Sequence, residues 1–238
     1  MKRIFQAPSI DLPYKYRAKQ TVVQTPVLQH FYQAEIANGN TELGEMEFVA
    51  MDFETTGLNA DKDEIITIGL VPFTLQRIYL NRAKHWTVRP RQKLDEESVI
   101  IHGITHSDIM GAPDLTDIID DLLEQLRGKV VVVHFHKIER EFLDHAFRRR
   151  INEGIEFPII DTMEIEAQIQ KKVTAGLWNK LRGKKAQSLR LGQTRQRYGL
   201  PAYHPHHALT DAIATAELMQ AQIAHHYTRQ HPVRLFWL

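Results

Sequence analysis

The sequence predicts an α/β protein: a mixed five-stranded sheet flanked by helices, with an N-terminal extension ahead of it. Three observations carry that prediction. Short apolar runs of strand length recur around 48–51, 65–70 and 130–133. The first three strand candidates succeed one another with only turn residues between them, which reads as a meander. Later strands alternate with segments whose apolar residues repeat at helical spacing, the pattern of helix-covered sheets.

Residues 1–46 stand apart from the rest of the chain. Pro8, Pro13 and Pro26 interrupt the early part, while Val27, Leu28, Phe31, Tyr32 and Ile36 repeat at helical spacing until Asn38-Gly39-Asn40 ends the run. An extended arm and one amphipathic helix over 26–37 are expected. That helix either packs on the main body or offers a contact surface to a partner or a second copy. From residue 47 to 238 the pattern is that of one domain. Strands are expected at Glu47–Asp52, Glu64–Pro72 and Lys84–Val88. Asp95–Ile104 reads as helical, and Pro113–Leu126 as an amphipathic helix capped by Asp114 with Gly128 behind it. Val130–Val133 is a fully apolar strand, and after it comes a helix over Lys137–Arg150 with Ile138, Phe142, Leu143 and Phe147 on one face. Phe157–Asp161 is a last short strand, and helices at Thr162–Lys171, Ser188–Tyr198 and His207–Thr228 complete the chain.

Of the 238 residues, 43% are hydrophobic and 25% charged, ordinary values for a soluble chain with one sizeable core. The absence of cysteine excludes disulfides and thiolate metal sites, so any metal must rest on oxygen or imidazole. Met1-Lys-Arg-Ile-Phe-Gln-Ala-Pro has no sustained apolar segment, and no apolar run approaches membrane length; no membrane association and a cytoplasmic location are expected. The net charge of +1 selects no partner, but its distribution is uneven. Between Ala167 and Thr210 there is no Asp or Glu, while Lys171, Lys172, Lys180, Arg182, Lys184, Lys185, Arg190, Arg195 and Arg197 all fall there. Such a stretch suits a polyanion held by its phosphates, or forms a solvated loop around Gly176–Lys185. Trp178 within it is either a core anchor or a surface for a stacked base.

The chemistry centres on Asp52 and Glu54. Residues two apart on a strand share a face, so both carboxylates point to one side of the sheet end, where they repel unless a cation or a shared proton neutralises them. Glu139 falls in the first turn of the helix after Val130–Val133. His206 and Asp211, five apart, belong to one end of the last helix. Oxygen ligands from separate elements suit Mg²⁺ or Mn²⁺. Two such ions clamp the attacking and leaving oxygens of a phosphodiester while an imidazole takes a proton from water. His134 reads as a hydrogen-bonded structural histidine, Asp161 as a helix cap, and His204, His207, His225 and His226 as solvated or phosphate-facing.

Asp52-Phe-Glu54-Thr-Thr-Gly-Leu, His134 with Glu139 and Phe142-Leu143, and His206-x-Ala-Leu-x-Asp211 resemble, in order and spacing, the three motifs of the DEDDh 3′→5′ exonucleases. The resemblance covers about Phe48 to Tyr227 and implies a ribonuclease-H-like fold. It also implies that Asp52 bridges two metal ions, that Glu54 and Asp211 hold the ion carrying the nucleophilic water, and that His206 is the general base. Thr55 and Thr56 would approach the terminal nucleotide, Leu58 would wedge against terminal bases, and His102 and Phe142 would line the same end. Two positions depart from the family pattern: Glu139 stands where Asp is usual, and Phe135 where Asn is common. The resemblance points to release of 5′-mononucleotides from single-stranded DNA ends, with trimming of RNA tails or short oligoribonucleotides as the alternative.

Overall fold

The computed structural model describes residues 11–92, 109–174 and 187–238. The helix expected at 95–104, His102, Trp178, and Lys180, Arg182, Lys184 and Lys185 lie outside the described residues.

A five-stranded sheet is ordered β3-β2-β1-β4-β5. β1 (Phe48–Thr55), β2 (Ile65–Phe73) and β3 (Lys84–Thr87) pair antiparallel as the expected meander. β4 (Val130–Val133) joins β1 in parallel, and β5 (Ile159–Asp161) joins β4 in parallel. The helices are α1 (Leu12–Val22), α2 (Pro26–Tyr32), α3 (Leu115–Leu126), α4 (Lys137–Ile151), α5 (Thr162–Thr174), α6 (Leu191–Arg197) and α7 (Ala208–His226).

The alternation of β1 divides the core into two layers and leaves room for the site. Val49, Met51 and Phe53 face one core with Leu28 and Phe31 of α2, Leu122 of α3 and Phe142 and Phe147 of α4. Phe48 and Ala50 face the other, with Ile165 of α5 and Ala212, Ala216 and Met219 of α7. Asp52 and Glu54 occupy the next two places in that second row. The strand runs on past its expected end at Asp52. Glu54 pairs with Thr67, and after an irregularity Thr55 pairs with Ile65, so pairing with β2 carries the backbone beyond the acids. A bulge of this kind re-aims side chains near functional sites.

The N-terminal segment departs from expectation. Leu12–Val22 is a helix, not part of an extended arm. Asp11 accepts a hydrogen bond from the Tyr14 N–H (3.0 Å), and Pro13 sits in the first turn, where a missing N–H leaves nothing unpaired. α2 ends at Tyr32 rather than 37, and Leu28, Phe31 and Tyr32 are buried. The apolar face offered as a candidate partner or dimer surface over 26–37 is therefore consumed by packing on this chain's own body. Among the described residues, no helix is long and apolar enough to cross a membrane.

Candidate active site

Asp52 and Glu54 come from β1, and Asp211 from the first turn of α7. One carboxylate oxygen of each lies within 4.8 Å of the other two. The approach is close because β2 carries Gly69 directly opposite Asp52, and the first residues of α7 lie against that glycine. An isolated glycine inside an apolar strand run is the sequence sign of a close backbone approach, yet Gly69 is absent from the residues expected at the site.

Glu139, in the first turn of α4, is buried beside this group, and after burial itself its charge acts most strongly on Asp52. Its Oε2 is buried without a hydrogen-bond partner. The turn that presents it is held from β5. The Asp161 carboxylate accepts from the N–H of Phe135 (3.1 Å), the N–H of His136 (2.8 Å) and His136 Nδ1 (2.8 Å). It also accepts from the Met163 N–H (2.8 Å), the expected helix cap. The additional grip on the 135–136 turn, where Phe135 is left-handed at φ +85°, has no signature in the sequence. These bonds, led by His136, outweigh the effect of burial and hold the Asp161 carboxyl below its usual range.

Asp52, Glu139 and Asp211 move the opposite way. Burial, then repulsion from Glu139, Asp211 and Glu54, pushes Asp52 well above the ordinary carboxylate range. Burial does the same to Glu139. Asp211 is raised by burial although it accepts the His206 N–H (2.9 Å). A group of carboxylates that resist ionising together, one with an unpartnered buried oxygen, fits a hard divalent cation. The all-oxygen donor set matches Mg²⁺ or Mn²⁺.

His206 lies at the rim of a cleft of about 680 Å³ that also takes in Asp52, Asp211, His134 and Arg190. Its backbone is left-handed (φ +69°), a conformation of about 1–3 kcal/mol cost that clusters at functional sites. His134 is structural as expected: Nε2–H donates to the Leu189 carbonyl (2.8 Å) and Nδ1 meets Thr162 Oγ1 (2.8 Å). His207 caps α7 and stacks on His85 of β3 with centroids 4.8 Å apart.

Other residues singled out in the sequence fall unevenly. Leu58 projects from the turn after β1, 86% exposed. Thr55 Oγ1 donates to the Gly57 carbonyl (2.6 Å), and Thr56 Oγ1 accepts the Glu64 N–H (3.0 Å), so both hydroxyls shape that turn. Phe142, expected to line the substrate end, is instead buried in the core, because α4 must cover the sheet with that face. Two of the basic residues are structural as well: Arg195 is buried against Glu217 (2.7 Å), and Arg197 pairs with buried Glu166 (2.9 Å).

The family model RNase_T, described as Exonuclease, matches residues 49–219, a span holding all four acids and His206. The chain belongs to the exonuclease family. It is similar to the PolC-type DNA polymerase III of Thermotoga maritima, with 25% identity over 87% of this chain and 15% of that protein. It is also similar to the DNA polymerase III subunit epsilon of Treponema pallidum, at 28% identity over 75% of this chain and 77% of the subunit. This exonuclease-family chain thus spans a small part of the first relative and most of the second. Among solved structures, the nuclease domain of 3′hExo, a DEDDh family member bound to rAMP, superposes with a TM-score of 0.59 at 16% identity, covering 75% of this chain and 92% of that domain. At that identity the likeness is one of fold, and it identifies the sheet and its flanking helices as ribonuclease-H-like.

Proposed function

We propose that this chain is a divalent-metal-dependent 3′→5′ exonuclease releasing 5′-mononucleotides from single-stranded DNA ends. The observation that carries the reading is the meeting of Asp52, Glu54 and Asp211 within 4.8 Å at the cleft where His206 stands. With Glu139 beside Asp52, these side chains would hold two Mg²⁺ or Mn²⁺ ions. When bound, such ions stabilise charge on a phosphodiester and lower the pKa of water.

The chain's own residues do the rest. His206 accepts the proton of the attacking water, its position fixed by the left-handed backbone and the N–H bond to Asp211. Water oxygen bonds to the terminal phosphorus as the bond to the 3′-oxygen breaks. The phosphate leaves on the released nucleotide, and the 3′-oxygen takes up a proton. Exposed Leu58 offers an apolar wedge to the terminal base, and the backbone at Thr55 and Thr56 approaches its sugar. Residues 47–238 form the exonuclease unit in this reading, with 1–46 as an N-terminal extension. The DNA polymerase III names of the two relatives support DNA over RNA.

Labelled single-stranded DNA and RNA oligomers of matched sequence and several lengths test the reading. Stepwise 3′ shortening of DNA with Mg²⁺ or Mn²⁺, lost in Glu54→Ala and Asp211→Ala, is expected. Wild-type turnover by either variant would remove the proposal, and faster turnover of RNA would move the substrate.

A further inference from the structure

We infer that Arg195, Glu217 and Tyr203 form a latch that positions His206 by tying the loop that carries this histidine to α7. The inference rests on the reading of His206 as the general base. The connection from α6 to α7 contains Gly199 at φ +68°, Pro201, an exposed His204 and Pro205, and it ends in left-handed His206. Its two prolines fix φ at two positions, but no strand pairing holds the rest of its backbone in one shape.

A buried charge does so instead. The Arg195 side chain is 3% exposed. Its guanidinium donates to the Ala214 carbonyl on α7 (2.6 Å), the Pro201 carbonyl in the loop (3.0 Å) and Glu217 Oε2 on α7 (2.7 Å). The ring of Tyr203 covers that guanidinium, with Cζ 4.7 Å from the ring centroid, and the Tyr203 hydroxyl donates to Glu217 Oε1 (2.9 Å). The loop is therefore tied to α7 at 201–203, and His206 is tied to the same helix by its N–H bond to Asp211. Between the two ties lie only His204 and Pro205, and proline fixes φ. Arg195, Tyr203, His206 and Asp211 all line the one cleft. Burying a guanidinium to hold a surface loop adds little stability compared with apolar packing; what such a network provides is a single geometry. These three are positioning residues, acting through His206.

Tyr203→Phe removes one hydroxyl and leaves the ring over Arg195, so folding is preserved. The expected result is a kcat about tenfold lower with KM within about twofold, a part of the 10²–10⁴ that a positioned base contributes. In a His206→Ala background the same substitution is expected to change kcat by less than about 1.5-fold, because the base it positions is gone. Glu217→Gln keeps an acceptor for Tyr203 but turns an amide NH2 onto the buried Arg195 guanidinium, so it is expected to lower kcat at least as much as Tyr203→Phe. The backbone amide resonance of His206 supplies a readout independent of activity and is expected to shift in Tyr203→Phe. An unshifted His206 amide, a wild-type kcat, or an equal loss with and without His206 would overturn the latch. A His206→Ala protein as active as wild type, with the amide still shifted in Tyr203→Phe, would instead overturn the base assignment and leave the latch in place.

Discussion

Gly69 and Ala208 meet where no side chain fits: a Cβ on Gly69 would lie 2.3 Å from the carbonyl carbon of Ala208 and 2.3 Å from the nitrogen of Leu209. Since Gly69 also sits opposite Asp52, this contact sets how far α7, and Asp211 with it, stands from the acids of β1. Gly69→Ala must push the helix end outward. A displacement near 1 Å costs about 100-fold in well-positioned chemistry, so kcat/KM is expected to fall by at least that much. Gly111→Ala, where an added Cβ meets nothing within 4 Å among the described residues, is the control and keeps wild-type turnover. Equal activity of the two variants would show that the glycine contact does not set the site.

The acids make the metal-free protein sensitive to pH in an unusual direction. Asp52, Glu139 and Asp211 are raised in the fold, so above the unfolded carboxylate value of about 4 the unfolded chain has released protons that the folded chain still holds. Stability from these groups is present at low pH and is lost as pH rises through their folded values. Asp114, Glu156, Asp161 and Glu166 are lowered, and their contribution is lost only as pH falls below about 4. Burial lowers His85, His134 and His226, which pull the other way between pH 8 and 5, so in chelator the acids are expected to show as an advantage of pH 5 over pH 8 that is larger in wild type than in Asp52→Asn. Thermal melts over that range check the sign.

Divalent metal should reverse that trend. Mn²⁺ at about 100 times its Kd adds about 2.7 kcal/mol, equivalent to roughly 5–10 °C in a chain of this size. The gain is expected at pH 8 and should shrink at pH 5, where the ligands hold protons. Asp52→Asn, which removes one repelling charge, should raise the metal-free Tm and abolish the metal-induced gain. A metal shift of wild-type size in that variant would exclude Asp52 as a ligand.

Asp161 acts on the site without entering it. Asp161→Asn keeps the shape but weakens the charge-assisted bonds to His136 and to the 135–136 turn that precedes Glu139. Losing an outer partner of a ligand typically costs 10–100-fold in metal affinity, so Mn²⁺ binding is expected to weaken by about that range. Isothermal titration in the absence of substrate measures it directly. Unchanged affinity would mean that Glu139 is held by α4 alone.

His206→Ala separates proton transfer from metal binding. Turnover is expected to fall by about 10²–10⁴, while the Mn²⁺-induced rise in Tm stays within a degree or so of wild type. A comparable loss of both would make the histidine a ligand or a structural support, not a base.

Local pattern was enough for the succession of strands along the chain, the meander of the first three and the face on which the acids lie. Alternation along Phe48, Ala50, Asp52 and Glu54 is a covalent property of an extended chain, so a strand there must put those four on one side. The spacing of His206 and Asp211 and the helix starts at Asp114 and Asp161 were legible for the same reason: each depends on neighbours within a few residues. The Asp11-Leu-Pro13 helix start is local too, but a proline there reads equally as a breaker and as the first turn of a helix. Relations between distant segments emerge only in the folded molecule. Burial of Phe142 and Tyr32, pairing of Arg195 with Glu217, the grip of Asp161 on the 135–136 turn and the Gly69–Ala208 contact all join residues far apart in sequence. Local patterns mark Gly69 as a close approach and Phe142 and Tyr32 as apolar faces, but none records which residues meet there, because those energies come from packing and desolvation that exist only once the sheet and α7 have closed on each other.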